Sequence, residues 1–194
     1  MDLLTLLDPA QPRPFALLRR EGAAHIEIFT GDLTSVDRLA DIPLPAGHQG
    51  PATLALVPYR QITERGFACV DDGTPLECLA IRSYGEVPLA AALALLPDTP
   101  EVARDGGFDI SDEEYAATVG AVLRDEIGHG EGANFVIHRT FTATVDEPLR
   151  AALAAFRRLL VAERGAYWTF LVHTGTRTLV GATPSGTSAS RTAW

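Results

Sequence analysis

The chain has 194 residues, 46% of them hydrophobic, which is enough to bury one core or one and a half. Its formal net charge of −9 excludes a nucleic-acid binder, because phosphate contacts need clustered Arg and Lys, and the acidity reads as solubility. No apolar run approaches the ~20 residues of a membrane span, and the opening stretch meets Asp8 without a basic flank, unlike a signal peptide, so the expected location is cytoplasmic.

The elements form a mixed α/β pattern. "AAHIEIFTG" (23–31) sets Ile26 and Ile28 against His25 and Glu27, the alternation of a half-buried strand. A crossing rich in proline and glycine follows, then "ATLALVPYRQI", a buried strand ended by Pro58, which cannot donate into a ladder. "DDGTPLECLAIR" predicts a turn at Asp72 and Gly73 and another strand, and residues 87–96 a short apolar helix with Pro88 in its first turn. The loop at 97–110 is the expected boundary, separating an N-terminal subdomain (1–100) from a second region (101–184) and a tail (185–194).

Beyond it, Ser111 and Glu114 make an S-x-x-E capping box. Tyr115, Val119, Val122, Leu123 and Ile127 recur at helical spacing, and Gly128 and Gly130 stop the helix. "ANFVIHRTF" predicts a strand with Asn134, Val136, His138 and Thr140 on one face and Phe135, Ile137, Arg139 and Phe141 on the other. Pro148 opens an amphipathic helix through Leu149, Leu153, Phe156 and Leu160, and "AYWTFLV" and "RTLVGAT" form a hairpin around "HTGT".

Little in the residue types alone speaks of chemistry. All sixteen basic residues are arginine, so no lysine Schiff base is available; with the abundant Ala, Gly and Pro, this points to a gene rich in G and C. Cys69 and Cys78 are too far apart for a redox or zinc pair, and Cys78, in an apolar run, reads as a buried thiol. His25, His48, His129, His138 and His173 lack the spacing of a zinc helix and read as structural or surface residues. A small complete enzyme would have to draw on His129, Glu131 and His138, a thin set.

At "IGHGEGANFVIHRTF" and "YWTFLV…RTLVGATP" the chain resembles the chorismate-binding enzymes, the family of anthranilate synthase component I. "ALVPYRQITERGFACVDDGTPL" (55–76) and "GEGANFVIHR" resemble the phenazine-type branch, which makes aminodeoxyisochorismate. The resemblance runs over residues 15–184. It implies an α/β (α+β) fold of large mixed β-sheets with flanking helices, and amination of chorismate at C2 with loss of its C4 hydroxyl. In the full-length family Mg²⁺ holds the substrate carboxylate while a general acid assists the leaving hydroxyl. A glutamine amidotransferase supplies the ammonia, and is a partner the resemblance implies.

The resemblance carries two residues as substrate-binding candidates. Asn134 falls where related isochorismate synthases carry the lysine that activates water, and a neutral amide there fits ammonia as the nucleophile. The alternative is that Asn134 only begins a strand and caps the turn at Gly132. Gly181 matches the glycine of the "G-[SA]-[ST]-P-E" turn, where the family's backbone approaches the active-site cleft. Tyr167 and Trp168 fall on the segment that helps bind feedback tryptophan in biosynthetic members. Ala166 replaces its proline and "HIEIFTG" its partner motif, so Trp168 reads as core packing.

The family expects Glu after Pro184, and Ser185 stands there. Its acid and base residues, its Mg²⁺-binding glutamates and its P-I-x-G-T loop have no match here, so this chain supplies no catalytic or metal residue and no cofactor site. The resemblance implies a continuation such as Glu-Arg-His-Val-Ser, which a GC-rich gene can spell GAG CGG CAC GTC AGC. One lost base turns it into AGC GGC ACG TCA GCG, the Ser-Gly-Thr-Ser-Ala of residues 185–189. The expectation is a frameshifted, truncated component I-like protein, inactive and prone to self-association alone, with a disordered tail. The alternative is a non-catalytic module that binds a partner or an aromatic ligand.

Overall fold

The computed structural model describes residues 13–47, 49–132, 134–162 and 166–183. His48, Pro184 and the tail at 185–194 lie outside the described residues. Among those described, one compact unit is built from the stretches before Glu101 and after Glu147, and a second from Glu101–Glu147.

The first unit is an antiparallel sheet of six strands in the order β3-β4-β2-β1-β7-β8. They are β1 Phe15–Arg20, β2 His25–Val36, β3 Thr53–Leu56, β4 Leu76–Pro88, β7 Trp168–His173 and β8 Thr178–Ala182. Two helices, α1 Leu89–Leu95 and α3 Pro148–Ala162, cover one face of it. There Phe15, Leu17, Ile26, Ile28 and Leu171 meet Ala92, Leu153, Phe156 and Leu160, all buried. Removing a side chain such as the fully buried Phe156 from water contributes about 1.5–3 kcal/mol. The apolar stripe read along 149–160 is the packed face of α3.

The other face is also buried, against the expectation from β2. Ala16, Leu18, Phe29, Leu79 and Val172 form a second core, with Leu33, Leu54, Leu56 and Ile81 packed on it. The sheet achieves this by curling. β2 and β4 pair along their length with a register shift at Thr30 and Gly31, and such a bulge bends a strand. The far half of the ribbon, with β3, thereby folds over the near half. Glu27 is buried as a result, although its alternation placed it toward solvent.

Local sequence explains most element ends. β3 stops at Leu56, two residues before Pro58, and a 3-10 turn Tyr59–Arg65 closes on Gly66 in the left-handed region, φ 82°. The Asp72-Gly73 turn forms as expected, with Asp71 and Asp72 side chains accepting from the N–H groups of Gly73 and Thr74 at 2.9 Å. The helix expected from Val87 starts later. Val87 and Pro88 are the last residues of β4, opposite Ile26 and His25, and Pro88 is the N-cap of α1. Proline without an N–H ends the ladder there.

The second unit contains β5 Arg104–Phe108, paired antiparallel with β6 Phe141–Thr144, and helix α2 Asp112–Ala121. The capping box is present: Ser111 Oγ accepts from Glu114 N–H at 3.2 Å, and Glu114 Oε2 accepts from Ser111 N–H at 3.0 Å. The helix runs on through a π turn, Val122–Glu126, and a 3-10 turn, Ile127–His129, to Gly130 at φ 79°. The strand expected over 133–141 does not form over most of that length. Residues 134–140 are irregular and only Phe141–Thr144 pair, because β5 is the strand they meet and it is short.

Gly31 is where the curl is most sensitive. A Cβ on it would lie 1.9 Å from the Ala80 carbonyl oxygen, backbone that the β4 pairing holds in place. Gly31→Ala is expected to cost about 2–4 kcal/mol of unfolding free energy, measured by denaturant titration followed by circular dichroism. Gly22→Ala, at φ 71° with nothing within 4 Å, should cost only about 1 kcal/mol.

Candidate functional site

The two residues that the sequence singles out lie in different units. Asn134 is exposed, at the start of the irregular segment in the second unit. Gly181 sits within β8, opposite Phe170 of β7, and a Cβ on it would come 2.9 Å from the Phe170 ring. An aromatic ring thus lies over a bare stretch of backbone, a packing use that only glycine permits.

Around the irregular segment, Arg139 organises the side chains. Its guanidinium lies 3.7 Å from the centroid of Phe108 and 5.1 Å from that of Tyr115, and it pairs with Asp112 at the start of α2. Tyr115 Oη donates to the Ile137 carbonyl at 2.9 Å, and Phe108 meets Phe141 edge-on with centroids 5.0 Å apart. Thr140 N–H donates to the carboxylate of Asp109 at 3.0 Å, and this bond holds that acid below its ordinary pKa. His129 bonds the Asp125 carbonyl with Nδ1, a helix-end contact. These contacts fix how the segment leaves the helix; they assemble no acid–base pair.

In the first unit, a polar cluster escaped the sequence reading. Glu27 accepts from Arg20 Nε at 2.9 Å and from Tyr84 Oη at 3.3 Å, and Glu86 also accepts from Tyr84. Burial, then the two carboxylates, push the Tyr84 phenol well above its ordinary pKa, so it stays a donor. Arg20 lies 5.8 Å from the Trp168 centroid, and Tyr167 stacks on that indole. Trp168 is 37% exposed, so the expected core packing is not what it does. It covers one end of the cluster. Each charge in the cluster has a partner within it, which suits a satisfied structural network better than an empty receptor.

"ALVPYRQITERGFACVDDGTPL" has a structural meaning as well. Gln61, buried, donates to the Asp37 carbonyl and to Glu64, Glu64 accepts from Leu39 N–H, and Arg60 donates to the Thr74 carbonyl. The motif ties down the crossing between β2 and β3. Cys78 is buried as expected, and burial raises its thiol pKa, which makes it inert.

Among the described residues, no group of three or more His, Cys, Asp and Glu stands close enough to hold a metal ion. No helix among the described residues is long and apolar enough to cross a membrane.

His173 is the buried titratable group with an unmet need. It is 6% exposed, its Nδ1 bonds Thr178 Oγ1 at 2.8 Å, and its Nε2 has no partner among the described residues. Burial lowers its pKa below the ordinary 6.5. Between the lowered folded value and 6.5, the unfolded chain binds the extra proton. Stability from this group is therefore complete above about pH 6.5 and falls as pH drops through that window. Unfolding free energy measured from pH 7.5 to 5.5 should decline by on the order of 1 kcal/mol more in the natural chain than in His173→Gln.

No family model matches the chain. Two curated relatives do. The anthranilate synthase, phenazine specific, of Pseudomonas chlororaphis is 48% identical over 186 residues, covering 92% of this chain and 29% of the relative. The protein of the same name from Pseudomonas fluorescens is 47% identical over 186 residues, with the same coverage. Identity at this level over nearly the whole chain reflects common descent. Over 92% of its length, the chain is a homologue of a segment that makes up 29% of the phenazine-specific anthranilate synthases.

Proposed function

We propose that the chain supplies the amino-terminal part of a chorismate-aminating enzyme of the phenazine-specific anthranilate synthase kind, and that alone it has no activity. The carrying observation is the mismatch of coverage: 92% of this chain aligns, but only 29% of each relative. A reaction that protonates a leaving hydroxyl and adds ammonia needs several groups converging on one substrate. The described residues offer satisfied ion pairs and turn contacts instead.

In the whole enzyme, Asn134 would orient the incoming ammonia and Gly181 would bring backbone close to chorismate. Mg²⁺ would be held by residues outside this chain, and ammonia would come from a glutamine amidotransferase in the cytoplasm. The exposure of Asn134 supports a role that depends on a further surface.

The test is direct. The purified 194-residue chain, given chorismate, ammonium and Mg²⁺, should yield no anthranilate or aminodeoxyisochorismate above a no-protein control. Loss should be total, since groups that stabilise a transition state act as a unit. Product above the control would overturn the proposal and favour a self-sufficient enzyme.

A further inference from the structure

Among the described residues, Asp105 is the one non-glycine in the left-handed region of the backbone, at φ 53°. Its Cβ crowds the following carbonyl there, which is why that region is left mostly to glycine. Asp105 and Gly106 fall in the break of register between β5 and β6. Arg104 faces Thr144 and Gly107 faces Thr142, so two residues stand against one, Ala143. Both are exposed. The neighbouring Arg104 is committed to Asp146, with Nη1 donating at 2.8 Å, and among the described residues nothing bonds the Asp105 carboxylate.

An aspartate followed by glycine can close on itself. The glycine amide nitrogen attacks the side-chain carboxyl carbon. A C–N bond forms, a C–O bond breaks, and the carboxyl hydroxyl leaves with the amide proton as water. Water then opens the cyclic imide at either carbonyl. Opening on the side-chain side restores aspartate; opening on the main-chain side gives isoaspartate, with one more methylene in the main chain. The balance needs water and no other reactant. Glycine matters because it leaves the attacking nitrogen unshielded, and a Cβ on Gly106 has no room, since it would lie 2.5 Å from Phe141 Cζ.

The sequence has a second such pair, Asp72 and Gly73, in a different setting. Gly73 N–H donates to Asp71, and Asp72 accepts from Thr74 N–H, both at 2.9 Å. The nitrogen is thus occupied and the carboxylate anchored. The Thr74 bond also holds the Asp72 carboxyl below its ordinary pKa, and an ionised oxygen is a poor leaving group.

We infer that Asp105–Gly106 is a site of spontaneous imide formation and conversion to isoaspartate, and that hydrogen bonding spares Asp72–Gly73. The added methylene relieves the crowding at Asp105, so the change falls where the backbone is strained. It lands between Arg104, which ties β5 to Asp146, and Phe108, on which Arg139 stacks, and shifts one contact against the other. The chemistry uses only this chain and water, and holds whatever reaction the whole enzyme performs.

In the experiment, the full 194-residue chain is aged at neutral pH, folded and in urea, then digested and mapped by mass spectrometry. Isoaspartate is located with a protein-isoaspartate carboxyl methyltransferase and a labelled methyl donor. In the folded chain, residue 105 should acquire label at least tenfold faster than residue 72. In urea the two should react at similar rates, because sequence alone then decides. Asp105→Glu, which would have to close a larger ring, should remove most of the label from the folded chain. Equal labelling of the two sites in the folded chain would overturn the inference, as would no label at residue 105. A tenfold ratio that persists in urea would overturn it as well, since the fold would then have no part in the choice.

Discussion

The long pairing of β2 with β4 is the constraint on which the first unit depends. All twelve residues of β2 find partners on β4, from His25 opposite Pro88 to Val36 opposite Leu76. At its middle, Gly31 lets the two backbones approach where no Cβ could fit. One end of the ribbon lies under helix α1; the other carries β3 and folds over to make the second core. Without the bend, Phe29 and Leu79 would face water, and the sheet would have one buried face instead of two. The long sequence separation of β2 and β4 makes this pairing entropically costly to nucleate, and burial on both faces is what offsets it.

Such dependence explains what could be read in the sequence and what could not. The capping box at Ser111, the αL turn at Gly130, the stripe of α3 and the hairpin of β7 and β8 are local signals, decided within a few residues. They were legible. Double burial of β2 was not, because alternation reports one buried face and a curl is a property of paired strands. Glu27 therefore read as a solvent residue and is a buried carboxylate held by Arg20 and Tyr84. Trp168 erred in the other direction, since composition favours burying an indole and its place at the end of β7 leaves it half open.

The candidate site was legible only as kinship. Asn134 and Gly181 were marked by resemblance, and nothing in their local chemistry marks them independently. Residues that carry visible electrostatic work are elsewhere. Glu77, buried, is paired with Arg177 across the start of β4 and the turn after β7, and His173 sits nearby in sequence with an unsatisfied Nε2. These arise from contacts between distant segments, Glu77 and Arg177 being 100 residues apart, so no motif announces them.

The two units differ in how they are held, and the difference bears on what the chain can do. The first has two apolar cores that hydrophobic burial can stabilise. The second is held, among the described residues, by a cap, by arginine–aspartate pairs such as Arg104–Asp146 and Arg139–Asp112, and by a cation–π stack, contacts that lie largely at the surface. Exposed ion pairs contribute about 0–1 kcal/mol each, and a cap about 1 kcal/mol. Those terms fix geometry more than they supply stability. An element built that way is shaped before it is buried, and a strand pattern held at the edge of it can meet an incoming surface with little reordering. The apolar side chains it leaves outward, Phe135 and Val136 among them, are costly to a unit that must stand alone.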